Sequence, residues 1–225
     1  MKRITLLAGH YGSGKTCIAV SLAKYIKKQG NKTAIIDMDI VNPYFRAKDS
    51  EEDLKKHGID LVCSEYANTN LDAPALPKEI YTVINDKSCH TIADIGGDDR
   101  GAVALGRYTP DILIDDDYEM LFVANCYRPL TKTPQEAMEI MREIEAASGI
   151  RFTAIVNNSN IGEDTSAETV EKSMEYINDL SKLCGLPVYM TTATKPVYNA
   201  IKDKIPNAFE IELQDKYYSI REKER

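Results

Sequence analysis

Gly9-His10-Tyr11-Gly12-Ser13-Gly14-Lys15-Thr16 is the stretch that decides how this chain is read. Before it, Ile4-Thr5-Leu6-Leu7-Ala8 has the length and composition of a short buried strand. After it, Cys17 to Ile26 repeats apolar residues at helical spacing. Strand, glycine loop and helix form the setting in which the pattern G-x-x-x-x-G-K-[ST] acquires chemical meaning. Glycines let backbone N–H groups turn onto phosphates, and the helix start adds a partial positive charge. Lys15 is then expected to reach the β- and γ-phosphates, and the Thr16 hydroxyl to ligate magnesium. Tyr11, Gly12, Ser13, Gly14, Lys15, Thr16 and Cys17 are the expected nucleotide-binding residues of this loop. The bland alternative is a glycine turn that happens to carry Lys-Thr. A dinucleotide-binding turn fits less well, since its third glycine would fall at Cys17.

Working outward, Gly30-Asn31 stops the first helix and Thr33 to Ile36 reads as a second strand, running into Asp37-Met38-Asp39-Ile40-Val41-Asn42-Pro43. Asp49 to His57 reads as a short surface helix, Ile59 to Cys63 as a strand, Ser64 to Pro77 as a loop and Lys78 to Asn85 as a helix. His90 to Gly97 is a strand ending in a double glycine, with Asp98-Asp99 placed to cap a helix through Leu105. Met120 to Asn125 is a strand, Pro134 to Ala147 a helix, Phe152 to Asn157 a strand and Ala167 to Cys184 a long helix. Leu186 to Met190 is a last short strand, and the polar tail from Phe209 to Arg225 an edge element or helix. Alternation of this kind predicts a three-layer α/β domain spanning 1–225, its mostly parallel sheet covered by helices on both faces. Right-handed crossovers bring the strand C-termini to one edge, where such sheets bind ligands. The glycine loop, Asp37 and Asp39, Asp94 and Gly97, and Asn157 all follow strands and are expected to converge there.

A magnesium-bound triphosphate needs a carboxylate near the metal and a group that orients the attacking water. Asp94 suits the first role, through a metal-bound water, and Gly96-Gly97 would let a backbone N–H approach the γ-phosphate. Asp37 and Asp39 lie two apart and share one side of an extended chain, so one can face magnesium and the other the water. A helix cap or turn is the structural alternative for each acid. Cys89-His90 has no third ligand at metal spacing, and Asp115-Asp116-Asp117 reads as a solvated turn. Tyr44-Phe45-Arg46 is either a partner-contact patch or packing.

The chain has 225 residues, a net charge of −7 and a pI near 5.1, which argues against bulk attraction to nucleic acid or an anionic membrane. Five scattered cysteines, never in a C-x-x-C pair, point to a reducing compartment without a zinc or iron–sulfur site in one chain. No apolar run approaches the length of a membrane span and no signal-peptide layout is present, so a cytoplasmic protein is expected.

With these residues in place, the chain resembles the MinD/ParA group of P-loop ATPases, part of the SIMIBI class. The matching features are Gly12-Ser13-Gly14-Lys15-Thr16, Asp37-Met38-Asp39, the switch-like Asp94-Ile95-Gly96-Gly97 and Asn157, in the family's order over about Met1 to Pro196. The resemblance implies an ATPase switch with Lys15 and Asp39 catalytic, Thr16, Asp39 and Asp94 at magnesium, and Asn157 reading the adenine edge. It also implies ATP and Mg2+ as ligands, a homodimer formed around nucleotide, and a partner protein whose binding hydrolysis resets. The N-K-x-D guanine signature is missing at Asn157-Asn158-Ser159-Asn160. The signature lysine of the group is replaced by His10, followed by Tyr11 where a glycine is usual, which leaves Arg46 and Arg100 as substitute cations. The cysteine motifs of cluster-bearing subgroups and an amphipathic membrane-targeting C-terminus are missing, so neither an iron–sulfur cluster nor a membrane is expected. A small-molecule kinase or ATP-dependent ligase resembling dethiobiotin synthetase is the alternative on the same scaffold, and an ATP-binding regulator that never hydrolyses is a third reading.

Overall fold

The computed structural model describes residues 1–39, 47–63, 77–97 and 99–213. Eight strands form one sheet in the order β3-β2-β4-β1-β5-β6-β7-β8. They are β1 (Ile4–Ala8), β2 (Lys32–Met38), β3 (Asp60–Val62), β4 (Cys89–Ile95), β5 (Tyr118–Ala124), β6 (Ala154–Asn157), β7 (Val188–Thr194) and β8 (Ala208–Ile211). Every neighbouring pair is parallel. The helices are α1 (Lys15–Lys28), α2 (Glu51–Lys56), α3 (Glu79–Asn85), α4 (Asp99–Gly106), α5 (Thr109–Leu113), α6 (Pro134–Ser148), α7 (Ala167–Cys184) and α8 (Lys195–Ile201). The α/β fold expected from the alternating pattern is therefore the fold observed.

Both faces of the sheet are covered, which is why its central strands are apolar throughout rather than alternating. On one face Ile18, Ala19, Leu22, Ala23 and Ile26 of α1 pack with Leu7, Ile35, Ile92, Leu121, Val123 and Val156. On the other, Leu6, Ile36, Ala93, Phe122 and Ile155 meet α3, α4, α5, α6 and α7 through Ile80, Leu105, Ile112, Ala137 and Ile177. Complete burial of one such side chain contributes about 1.5–3 kcal/mol, so α1 is held firmly against the centre of the sheet. That anchorage fixes the position of its first turn, which carries Lys15 and Thr16.

β1 lies between β4 and β5, although the chain visits β2 and β3 first. The loop after β1 is consequently flanked by the loops after β4 and β5 at the point where the strand order reverses, the usual ligand crevice of such sheets. Two short helices, α5 and α8, and the full reach of β7 to Thr194 add to the elements expected from sequence. Asp98 and the greater part of the expected loop Ser64–Pro77, along with residues 214–225 of the tail, lie outside the described residues.

Candidate functional site

The glycine loop closes tightly on itself. Gly9, Gly12 and Gly14 have φ of 151°, 75° and 91°, values that side chains rarely adopt, and Ser13 N–H donates to His10 O at 3.2 Å. A Cβ on Gly9 would sit 2.5 Å from Val123 O, so the loop needs a glycine where it leaves β1 beside β5. Gly14 is the N-cap of α1 and no side chain caps that helix end. No acidic residue occupies the first turn either, which leaves its N–H groups and partial positive charge facing the loop.

Lys15 is 7% exposed and its Nζ donates to Gly9 O at 3.0 Å and His10 O at 3.2 Å. Thr16 Oγ1 donates to Asp94 Oδ2 at 2.6 Å. Asp94 sits opposite Asp37 in the β2–β4 register and is buried. Burial, then the nearby Asp37 carboxylate, push its carboxyl well above the ordinary range; Lys15 and the Thr16 hydroxyl oppose that shift, while Asp39 adds to it. A buried carboxyl under such pressure is relieved by added positive charge.

Asp37 is taken up by backbone: Oδ1 accepts from Asp39 N–H at 3.1 Å and Oδ2 from Lys48 N–H at 3.3 Å, so it ties together the two sides of residues 40–46. Asp39, half-buried, lies against the double glycine, its Oδ1 3.4 Å from where a Cβ on Gly96 would stand. A Cβ on Gly97 would meet Tyr11 N at 2.6 Å and Lys15 Nζ at 3.0 Å, so the loop after β4 presses its backbone directly on the glycine loop. Of the residues expected at the site, Lys15, Thr16, Asp39, Asp94 and Gly97 thus come together. Tyr11 is 56% exposed at its rim, Cys17 is half-buried in the first turn of α1, and His10 Nδ1 hydrogen-bonds to Tyr11 O at 3.0 Å.

Asn157 requires a correction. It is 0% exposed, its Nδ2 donates to Ser173 Oγ at 2.9 Å and its Oδ1 accepts from Ser159 N–H at 3.2 Å, so it ties β6 to α7 and does not present its amide to a base. The next residue does the work at the loop. Asn158 Nδ2 donates to Ser13 O at 2.6 Å, and its Oδ1 accepts from Thr192 Oγ1 at 2.5 Å. Alternation along β6 was the available signal: Val156 packs on the α1 face, so Asn158 shares that face and Asn157 the opposite one.

Two further residues carried no motif. Asn125, 0% exposed, accepts through Oδ1 from the N–H groups of Tyr127 and Asn160 and so shapes the loop after β5. Arg128 in that loop brings Nε to 3.9 Å from the position of a Cβ on Gly12. Tyr44, Phe45 and Arg46 lie outside the described residues, and Arg100 is exposed near the start of α4. The acidic run after α5 is a turn, as expected: Asp115 pairs with Arg3 and Lys87, and Asp117 Oδ1 accepts from Arg3 N–H at 3.2 Å.

The site fits a phosphate chain and a magnesium ion. Ser13 Oγ is buried without a hydrogen-bond partner in the middle of the loop, and the uncapped helix end has donors to give. Thr16 and Asp94 supply adjacent hard oxygen atoms. Among the described residues no cluster of three or more His, Cys, Asp and Glu is placed to hold a metal ion by itself.

Residues 4–200 match the model of the CobQ/CobB/MinD/ParA nucleotide-binding domain family. No curated protein sequence matches the chain. Among solved structures, FtsY from Mycoplasma mycoides is similar with a TM-score of 0.58 at 18% identity, over 86% of this chain and 60% of that one. The 54 kDa signal recognition particle protein of Aeropyrum pernix, solved with GDP, gives 0.57 at 16% over 84% of this chain and 40% of that one. Chloroplast FtsY of Physcomitrella patens gives 0.57 at 15% over 88% and 60%. The chain spans at most about three fifths of these proteins, and at such identities the likeness is one of fold. The family match covers most of the sequence, and the chain belongs to the CobQ/CobB/MinD/ParA nucleotide-binding family.

Proposed function

We propose, from that membership, that the chain is a magnesium-dependent ATPase whose nucleotide state switches its hold on a partner protein. The observation that carries this is the Thr16–Asp94 hydrogen bond of 2.6 Å at the uncapped start of α1, beside Lys15. In this reading the N–H groups of residues 12 to 16 hold the phosphates and Lys15 exchanges its loop carbonyls for β- and γ-phosphate oxygens. Thr16 Oγ1 and the Asp94 carboxylate would hold a magnesium ion, which when bound would supply positive charge beside the phosphates. Asp39, beside Gly96, orients the attacking water. Gly97, packed against Tyr11 and Lys15, moves when a γ-phosphate arrives and carries the change outward to a second copy and to the partner.

Adenine is favoured because Asn157, Asn158, Ser159 and Asn160 include no carboxylate to accept from guanine N1–H and its exocyclic amino group. The base contacts then fall to residues other than Asn157. Lys15→Ala tests the phosphate assignment: ATP affinity by calorimetry is expected to fall at least tenfold, the worth of a charge-assisted contact, with the fold intact by circular dichroism. Unchanged affinity rejects the assignment. GTP displacing bound ATP analogue at equal concentration rejects the adenine preference.

A further inference from the structure

The glycine loop has a cation on its second side. Sheet order puts the loop after β4 on one side of it, through Gly97, and the loop after β5 on the other, through Arg128. Arg128 is exposed, its Nε 3.9 Å from the Cβ position of Gly12. Among the described residues its guanidinium pairs with no carboxylate. An arginine beside a sheet edge rich in Asp would ordinarily find one, so an unpaired fork next to an anion-binding loop is informative.

The loop that carries it is rigid where rigidity matters. Asn125 Oδ1 accepts from Tyr127 N–H at 3.0 Å, and Arg128 N–H donates to Asn125 O at 3.1 Å. Thr131, 1% exposed, donates through Oγ1 to the same carbonyl at 2.8 Å. Cys126 N–H donates to Ser159 Oγ at 3.2 Å, and Tyr127 Oη to Thr169 O at 2.9 Å, which ties the segment to the loop after β6 and to α7. Leu130 is held at a φ of 64°, a conformation it would not adopt unaided. The Arg128 side chain extends from this hydrogen-bonded backbone toward Gly12.

We propose that Arg128 binds the terminal phosphate of the triphosphate in the same subunit. The terminal end is indicated because Gly12 adjoins Tyr11, the residue against which the γ-sensing Gly97 packs. A bidentate guanidinium there strengthens as charge builds on the departing phosphoryl group, which makes it a catalytic residue as well as a binding one. The proposal rests on the phosphate-loop reading above.

The test uses the full chain with Mg2+, measuring ATP and ADP affinity by calorimetry and single-turnover hydrolysis for wild type, Arg128→Ala, Arg128→Lys and Lys15→Ala. Arg128→Ala is expected to weaken ATP about tenfold and to slow hydrolysis at least tenfold, with ADP affinity changed less than about threefold. Arg128→Lys recovers part of the ATP affinity but less of the rate. Mixing Arg128→Ala with Lys15→Ala protein restores nothing. Equal losses for ATP and ADP, no loss at all, or activity recovered on mixing each overturn the proposal. Wild-type ATP binding in Lys15→Ala instead fells the phosphate-loop reading itself, and the two failures are thereby told apart.

Discussion

The start of α1 at the glycine loop contrasts with the starts of the two longest helices of the second half, α6 and α7. α6 and α7 are closed by capping boxes: Thr133 Oγ1 accepts from Glu136 N–H at 3.2 Å while Glu136 Oε2 accepts from Thr133 N–H at 2.9 Å, and Ser166 exchanges the same pair of bonds with Thr169. Each also has an acid in its first turn, Glu136 or Glu168. α1 has neither a capping side chain nor an acid, and it starts from a glycine in the left-handed region. α6 and α7 spend their own side chains on the orphan N–H groups, whereas α1, which starts in the glycine loop, leaves them open to a ligand. What α1 forgoes locally is offset by its packing on β1, β2 and β4.

The largest effect should come from closing that difference. Gly14→Ala places a methyl group on a φ of 91° and against the Asn158 amide that holds Ser13. We expect a stability loss of about 2 kcal/mol or more, of which the left-handed backbone accounts for roughly 1–2 kcal/mol. Nucleotide affinity should drop at least tenfold, about the worth of one charge-assisted phosphate contact. Thermal melts with and without ATP measure both. If the alanine variant binds nucleotide as before, the open helix start is not an anion site.

Next in size is Asp94→Asn. The native carboxyl is pushed upward chiefly by burial and then by Asp37, so its charged form is held at a cost in the folded chain. The folded protein binds that proton more tightly than the unfolded chain, so stability from this group is present at low pH. It declines as pH rises from the ordinary carboxylate value through the raised one. In metal-free, nucleotide-free buffer the asparagine variant should equal wild type at low pH and exceed it at pH 8 by about 1 kcal/mol or more, the worth of roughly one pKa unit. Its magnesium-dependent hydrolysis should be lost. Denaturant titrations across pH check the sign, and a variant less stable than wild type at pH 8 would show that Asp94 serves the fold rather than the ligand.

Thr133→Ala is the control from the capped helices. It removes the cap of α6 and should cost about 1 kcal/mol, with ATP and ADP affinities unchanged by calorimetry. A loss of binding would mean that the starts of α6 and α1 are not independent.

Much of this contrast was legible beforehand. Lys-Thr after the glycines marked the open start of α1, and Ala167 to Cys184 was bounded correctly because Ser166 and Gly185 punctuate a strong apolar repeat. What escaped was local weakness or distant geometry. α5 is five residues with only Thr109 and Ile112 buried, so no repeat builds up, and Thr109-Pro110 looks like a turn. β7 runs on through Thr191 and Thr192, polar residues whose hydroxyls find Met174 and Asn158 only once the sheet is assembled. Asn157 and Asn158 differ by one position, and a strand assigns neighbours to opposite faces. Arg128 reaches Gly12 because β5 adjoins β1, a neighbourhood set by sheet order and not by any spacing in the chain.

The smallest expected effect compares two left-handed residues rather than two helices. Gly14 and Leu130 share the same backbone region, at φ of 91° and 64°. Gly14 has no room for a side chain, whereas Leu130 is 59% exposed and its side chain meets little protein. A leucine in that conformation is strained by about 1–2 kcal/mol, and glycine is not. Glycine also frees the unfolded chain, which takes back about 0.4–1 kcal/mol. Leu130→Gly should therefore stabilise the protein by about 0.5 kcal/mol, the reverse of Gly14→Ala. ATP affinity should stay within about twofold of wild type, because the bonds of Asn125, Tyr127 and Thr131 still hold Arg128 in place. Chemical denaturation and calorimetry on the same preparation read both quantities. A destabilised variant with weakened ATP binding would mean that the leucine side chain, and not the hydrogen-bonded backbone, keeps the loop after β5 against the glycine loop.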